Sequence, residues 1–330
     1  MTADAQPSTG GRRRHDASRR SHRVTWLTRC RHRLEYVGVR ALQTMLIAVP
    51  LAFALRVGAA AGYLTYLVDV RHRRIGMRNL AIAFPERSLA ERRRILRASM
   101  ANMGRMAVEL ARLPTLDDAE LRRLVRFENE AWWEEAISAP RATGGMILSG
   151  HFGNWELLVY AHGCRGHPVA MVHRTIANPL IDRWFNDLRA RGGTKLLRKS
   201  RAAISVLRAL RERDLLALPF DQNSTRKLGV FVPFFGMPAS TNAAIARLAL
   251  RTGAPVIPAF IVRQGRSAHH VVHVLPFMYA EDTGDLVADV IRNTERFSEV
   301  FEGFVRRYPE QWLWVHRRWK TRPEGEERFY

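Results

Sequence analysis

At 330 residues with 47% hydrophobic composition, the chain is long enough to bury a substantial core, arranged as one main domain with an N-terminal appendage. Fifty-three Lys and Arg against 31 Asp and Glu leave a formal charge of +22, which points to an anionic partner surface: phospholipid, a phosphorylated glycolipid, an acidic carrier protein or nucleic acid. The two cysteines, Cys30 and Cys164, sit in no metal-ligand or redox spacing, which excludes a cysteine-based metal or dithiol centre and fits a reducing compartment.

Residues 1–33 combine Gly, Ser and Thr with repeated arginines and few apolar residues, the composition of a disordered basic tail suited to anionic lipid. Residues 34–70 read as a membrane-associating helical segment. From Ala41 to Val68 the chain is mostly apolar, but Pro50 and Arg56 interrupt it, so no unbroken run reaches the ~20 residues of a simple spanning helix. Arginines flank both ends, as suits a segment whose termini stay on one side of the bilayer and which lies in the interface or inserts shallowly. A secretory leader is the competing reading of this pattern, and its length would be unusual. Residues 71–140 carry helical periodicity with breaks at Pro85 and Pro114, predicting a helical lead-in to a domain that spans residues 71–330.

From Gly144 onward short apolar runs alternate with helical patterns. Strands are predicted at Met146 to Ser149, Pro168 to Val172, Leu215 to Leu218, Val256 to Val262 and Val271 to Leu275. Helices are predicted from Trp155 to Tyr160, Ile181 to Arg191, Arg201 to Arg211, Thr241 to Arg251 and Asp285 to Tyr308. This alternation predicts an α/β fold, a central mixed β-sheet flanked by helices, with its chemistry at the strand ends.

The string from Ser149 to Glu156, SGHFGNWE, directly follows the first buried strand. Five positions on a regular helix turn about 140° from one another, so His151 and Glu156 meet only if His151 sits in the turn before the helix, which Gly150 and Gly153 allow. The carboxylate would then hold one imidazole nitrogen while the other accepts a proton, the base-and-orienter half of a hydrolytic triad. No G-x-S-x-G elbow is present and neither cysteine adjoins the histidine, so the nucleophile is expected to be a substrate hydroxyl. The plainer alternative is a capping or packing histidine. A metal site is not expected, since His162, His167 and His173 lack ligand spacing and there is no H-E-x-x-H. Asp221, Gln222 and Asn223 close a buried strand and read as substrate-positioning residues or an Asx-type turn. The Phe231 to Phe235 loop borders an apolar groove or packs in the core.

HFGNWE resembles the H-x-x-x-x-E motif of the lysophospholipid acyltransferase superfamily, and the whole string resembles its bacterial lipid A late acyltransferase branch, the lauroyl and myristoyl transferases. Further segments agree in order: Asn79 to Pro85; Met171 to Arg174 with Asn178-Pro179; Asp221-Gln222-Asn223 with Phe231 to Gly236; Ala254 to Pro258; and Pro309 to Trp314 with His316 to Lys320. The resemblance covers roughly residues 40–323.

It implies a glycerolipid acyltransferase-like fold in which His151 is the general base and Glu156 its orienter. It also implies Arg174 as the grip on an acceptor phosphate, where a bidentate guanidinium suits the ligand. The tetrahedral oxyanion needs preorganised donors, for which the amides near Gly153 or the Asn154 side chain are candidates by proximity. The implied partners are a membrane glycolipid acceptor, foremost a lipid A precursor, and an acyl carrier protein or coenzyme A thioester as co-substrate without a cofactor. The implied place is the cytoplasmic face of the bacterial inner membrane, held peripherally or by one N-terminal segment. Phosphatidylinositol mannosides or lysophospholipids are alternative acceptors, and a lipid or thioester hydrolase, with water replacing the hydroxyl, is the alternative activity. The +22 charge alone would suit nucleic acid, but no recognisable binding motif accompanies it and no specific nucleic-acid partner is expected.

Overall fold

The computed structural model describes residues 25–138, 144–167, 169–173, 175–198 and 202–330. Helix α1 (Trp26–Ala48) opens where the Thr25 hydroxyl accepts the Thr28 amide, a local cap that extends the helix into positions 26–33, assigned to the tail on composition. Residues 1–24 of that tail lie outside the described residues. Pro50, which lacks an N–H, separates α1 from α2 (Leu51–Val68). Helices α3 (Val70–Ala83) and α4 (Leu89–Arg112) follow, the latter started by a reciprocal capping box between Ser88 and Glu91.

Helix α2 lies against α4 through glycines. A Cβ on Gly58 would stand 2.5 Å from the Gly104 carbonyl oxygen, and one on Gly62 would stand 2.1 Å from that of Met100, so the backbones approach as closely as they do only without side chains. The other faces of α1 and α2 leave Leu34, Val37, Met45, Phe53, Leu64 and Leu67 exposed. Only 22% of the apolar α2 window is buried, unlike the core helix of a soluble domain.

The lead-in is not helical throughout. After α5 (Asp118–Leu124) the chain enters β1 (Val125–Glu128), where Val125 and Phe127 alternate with Arg126 and Glu128; this short period-two pattern is easily lost among neighbouring charges. Helix α6 (Glu130–Ser138) precedes the first central strand.

The strands of the main sheet are β1, β2 (Met146–Ser149), β3 (Val169–His173), β4 (Lys195–Arg198), β5 (Leu215–Pro219), β8 (Val256–Arg263) and β9 (His270–Val274). They lie in the order β1-β9-β8-β2-β5-β3-β4. Five neighbouring strands from β8 to β4 run parallel, while β9 is antiparallel to β8 and carries β1 parallel to itself, which makes the sheet mixed. The Phe231 to Phe235 stretch is mostly strand: β6 (Gly229–Phe234) pairs with β7 (Met237–Asn242) through a two-residue turn in which Phe235 and Gly236 both take positive φ.

Helices α7 (Trp155–Cys164), α8 (Pro179–Arg191), α9 (Ala202–Arg211), α10 (Ala244–Thr252) and α11 (Leu286–Arg307) complete the domain. Both sheet faces are covered, as a parallel sheet requires. On β2, Met146 and Leu148 join a core with Phe260, Phe301, Trp312 and Trp314, while Ile147 faces a second core with Leu157, Leu158 and Trp133.

Candidate active site

Strands β2 and β5 are neighbours in parallel register, with Ser149 opposite Pro219. His151 and Asp221 each lie two residues beyond that pair, so the sheet delivers both to the same edge at the same height. The His151 Nδ1 stands 2.9 Å from Asp221 Oδ1. The other carboxylate oxygen accepts the indole N–H of Trp312 at 2.9 Å, which fixes the plane of the acid.

The backbone is shaped around this contact. A Cβ on Gly150 would lie 2.6 Å from the Asp221 carboxyl carbon and 2.7 Å from Phe301, so a side chain there would displace the acid. Gly153 has a φ of 57°, and its Cβ would collide with the Ile261 carbonyl oxygen. The C-terminal segment closes the turn: Gly153 N–H donates to the Gln311 carbonyl, and Leu313 N–H donates to that of His151.

Burial pulls the His151 imidazole down. The charge and hydrogen bond of Asp221, with a smaller contribution from the Glu156 charge, outweigh it and hold the pKa above the ordinary 6.5. Burial of Asp221 opposes its ionisation, but His151 and the Trp312 N–H hold its carboxyl down at about 2. The fully buried Arg318 adds a balancing cation to the same neighbourhood. Burial brings it down to about 10 and the Asp221 charge opposes that fall, while its guanidinium donates to Ser240 O and Thr241 Oγ1. Asp221 therefore stays ionised and Nδ1 carries the proton, leaving Nε2 as the basic atom of a side chain still 20% exposed. Trp155 packs its ring edge-on against the imidazole at 4.9 Å between centroids.

Glu156 does not hold the histidine, contrary to the arrangement expected from the H-x-x-x-x-E spacing. It lies in the first turn of α7, nearly buried, where Arg189 of α8 grips it in a bidentate pair with contacts of 2.9 and 2.5 Å. Its influence on His151 is that of a nearby negative charge. The amide of Gln222 lies 3.3 Å from both ring nitrogens, which places it against the face of the imidazole.

Both asparagines engage partners within the protein. The Asn154 Oδ1 caps α7 by accepting Leu157 N–H, and its Nδ2 donates to Glu109, which in turn pairs with the buried Arg263. Asn223 donates to Ser224 O and Thr321 Oγ1 and accepts Thr321 N–H, binding its turn to the C-terminal segment. Its own N–H donates to His316 Nε2, a ring that burial pulls down to about 4 and keeps neutral. Arg174 lies outside the described residues.

Sequence reasoning missed Arg189, Trp312 and Arg318 as members of the site, and missed the pairing of Asp221 with His151. Equal offsets from two buried strand ends were the available signal for that pairing. Nothing in sequence linked Glu156 to Arg189, 33 residues away on another helix. A groove of about 240 Å³ lies at the ends of β3 and β5, walled by Val172, Leu218, Phe220 and Ile245 together with the polar His173 and Asn242.

A buried acid held against a partly exposed imidazole whose Nε2 remains basic is an arrangement that suits proton transfer at the sheet edge. The model of the bacterial lipid A biosynthesis acyltransferase family matches residues 24–321. The lipid A biosynthesis lauroyltransferase of Escherichia coli K12 is 27% identical over 303 residues, 91% of this chain and 96% of that protein. The E. coli K12 myristoyltransferase is 27% identical over 88% of each chain. A lipid A biosynthesis acyltransferase of Haemophilus influenzae is 26% identical over 88% of this chain and 91% of its own. The chain is an acyltransferase. It belongs to the bacterial lipid A biosynthesis acyltransferase family.

Proposed function

We propose that the protein transfers a fatty acyl group from a carrier thioester, on acyl carrier protein or coenzyme A, to a hydroxyl of a lipid A precursor at the cytoplasmic face of the inner membrane. The observation that carries this reading is the His151–Asp221 hydrogen bond at the sheet edge, in a chain whose relatives are named for lipid A acylation. In this reaction Nε2 of His151 takes the proton of the acceptor hydroxyl as its oxygen forms a bond to the thioester carbonyl carbon. The tetrahedral oxyanion collapses by breaking the C–S bond, and the leaving thiolate receives the proton from Nε2. Asp221 stabilises the imidazolium formed between these steps. The Glu156–Arg189 pair ties the start of α7 to α8, and the Glu156 charge adds a small upward pull on the His151 pKa. Gln222, whose amide lies against the imidazole, is assigned to substrate positioning, and Arg174 to an acceptor phosphate.

The exposed apolar faces of α1 and α2 support membrane association, and the 240 Å³ groove supports a site for part of the acyl chain. The test is mass spectrometry of membrane lipids from a bacterial host lacking its own late acyltransferase, expressing wild type or His151→Ala. A lipid A species heavier by one fatty acyl group, formed only with wild type, is the expected result. Free fatty acid accumulating in its place would replace transfer by hydrolysis, and an acylated lipid of another class would replace the acceptor.

A further inference from the structure

A second concentration of charge occupies the same edge of the sheet, outside the site described above. Between α4 and the turn joining β8 to β9 lies a cleft of about 450 Å³. Its wall carries Arg94, Arg97 and Arg105 from one face of α4 and Arg266 from the turn, with Glu310 as the carboxylate in the lining. The small side chains of Ala98 and Ala101, spaced along that face, leave the floor open. Arg97 donates to the Arg93 carbonyl of its own helix, while Arg94, Arg105 and Arg266 have no carboxylate partner among the described residues. Glu109, the nearby acid, is already held by Arg263 and Asn154. Burial of Arg105, reinforced by the charges of Arg263 and Arg266, lowers its pKa, and the Glu109 charge offsets only part of that fall; like charges have been brought together and partly desolvated.

The cleft also touches the catalytic turn. Gln311 lines it, accepts Gly153 N–H on its carbonyl and brackets the Arg263 backbone with its side chain. We propose that this cleft is a phosphate-binding subsite, taking a phosphate monoester or diester carried by one of the two substrates. Several guanidinium forks around one open volume match the many acceptor oxygens of phosphate better than a single carboxylate. That the ligand is a substrate rests on the acyl-transfer reading, and two sources share the chemistry: the phosphates of the donor's carrier group and the phosphate of a glycolipid acceptor.

The experiment is calorimetric titration of the full chain in an uncharged detergent with coenzyme A and, separately, glucosamine 1-phosphate. Wild type, Arg105→Gln/Arg266→Gln, Arg94→Gln/Arg97→Gln and His151→Ala are compared, with folding checked by thermal melting. At least one probe should bind wild type and His151→Ala alike, with affinity that falls as salt rises. That affinity should weaken about tenfold or more in both arginine double variants, since charge-assisted hydrogen bonds are removed. Loss confined to coenzyme A assigns the donor, and loss confined to the phosphosugar assigns the acceptor. If the half-buried Arg105 variant misfolds, the exposed Arg94/Arg97 pair decides. Binding unchanged in folded double variants, or no binding of either probe to wild type, overturns the proposal. Arginine-dependent binding in a protein that acylates no lipid would instead keep the phosphate site and remove the acyl-transfer reading.

Discussion

The segments that follow β2 and β5 start side by side, and each supplies a buried acid, Glu156 at the start of α7 and Asp221 in the turn, but the two acids have different partners. Asp221 points along the sheet edge to His151 and is oriented by Trp312. Glu156, only five residues from the histidine, turns away to a bidentate pair with Arg189. The difference shows which constraint places a catalytic neighbour: parallel register between two strands is rigid, whereas a short spacing across a turn into a helix leaves the side-chain direction open. The contact with the histidine expected of the nearer acid is made by the farther one, while the nearer acid secures the helix that carries it.

The largest effect should come from His151→Ala, which removes the atom we propose takes the proton. Loss of general-base catalysis costs up to roughly 10⁴-fold in kcat/KM, with a lower melting temperature as well, because the buried Asp221 carboxylate keeps the Trp312 N–H but loses its imidazole partner. Purified protein assayed for acyl transfer at saturating donor measures this directly.

Asp221→Asn should follow, with a loss of roughly 10²-fold or more in kcat/KM, because the amide no longer stabilises the imidazolium or enforces the tautomer. It also gives the comparison its clearest signature. Asp221 raises the His151 pKa, and the reactive form is the neutral ring. Removing the carboxylate lowers that pKa, so the acid limb of the kcat/KM profile should move to lower pH even as the maximum falls. Glu156→Gln should move the limb in the same direction by less, since its charge is the smallest of the contributions acting on His151. An equal or larger shift in the Glu156 variant would restore the sequence-adjacent acid as the principal partner.

Glu156→Gln has a second consequence that Asp221→Asn lacks. Arg189 would be left as a nearly buried cation without its carboxylate, and breaking such a pair costs about 3 kcal/mol. The expected result is a clearly lower urea midpoint and a turnover loss about tenfold, smaller than for Asp221→Asn. Replacing both partners, as Glu156→Gln/Arg189→Met, should recover part of the stability without recovering the activity.

How much of this could be read from sequence follows from the range of the forces involved. The buried strands at 146–149, 215–219 and 256–263 were legible because an apolar run between breaks has few other fates, and the glycines at 150 and 153 marked the turn. His151 was legible because it stands in that turn. The short strands β1 and β4 were not, since four-residue segments with charged members owe their state to the neighbours that pair with them. The pairing of Asp221 with His151 and of Glu156 with Arg189 depends on strand order and helix placement, which local spacing does not contain.

Gly150→Ala probes the comparison from the backbone. The new methyl would be driven against the Asp221 carboxyl group and Phe301 while leaving Glu156 untouched. Because φ at Gly150 is not positive, the loss should come from displacement of the acid more than from backbone strain. Activity should fall on the order of tenfold, with the acid limb shifting as in Asp221→Asn, and a crystal structure of the variant should show a lengthened His151–Asp221 contact.

Asn154→Ala should have the smallest catalytic effect. This side chain adjoins the motif but faces inward, where it caps α7 and donates to Glu109. Loss of an N-cap costs about 1 kcal/mol, and loss of one donor to a carboxylate that still holds Arg263 adds about 1–2 kcal/mol. The urea midpoint should drop while kcat per folded molecule changes less than about threefold. Asn154→Asp retains the cap but places a second acid against Glu109, so it should be less stable than Asn154→Ala if the Glu109 contact matters more than the cap. The order of those two midpoints thus separates the two contacts, and a large fall in kcat with stability unchanged would move Asn154 from the scaffold of the turn into the substrate site.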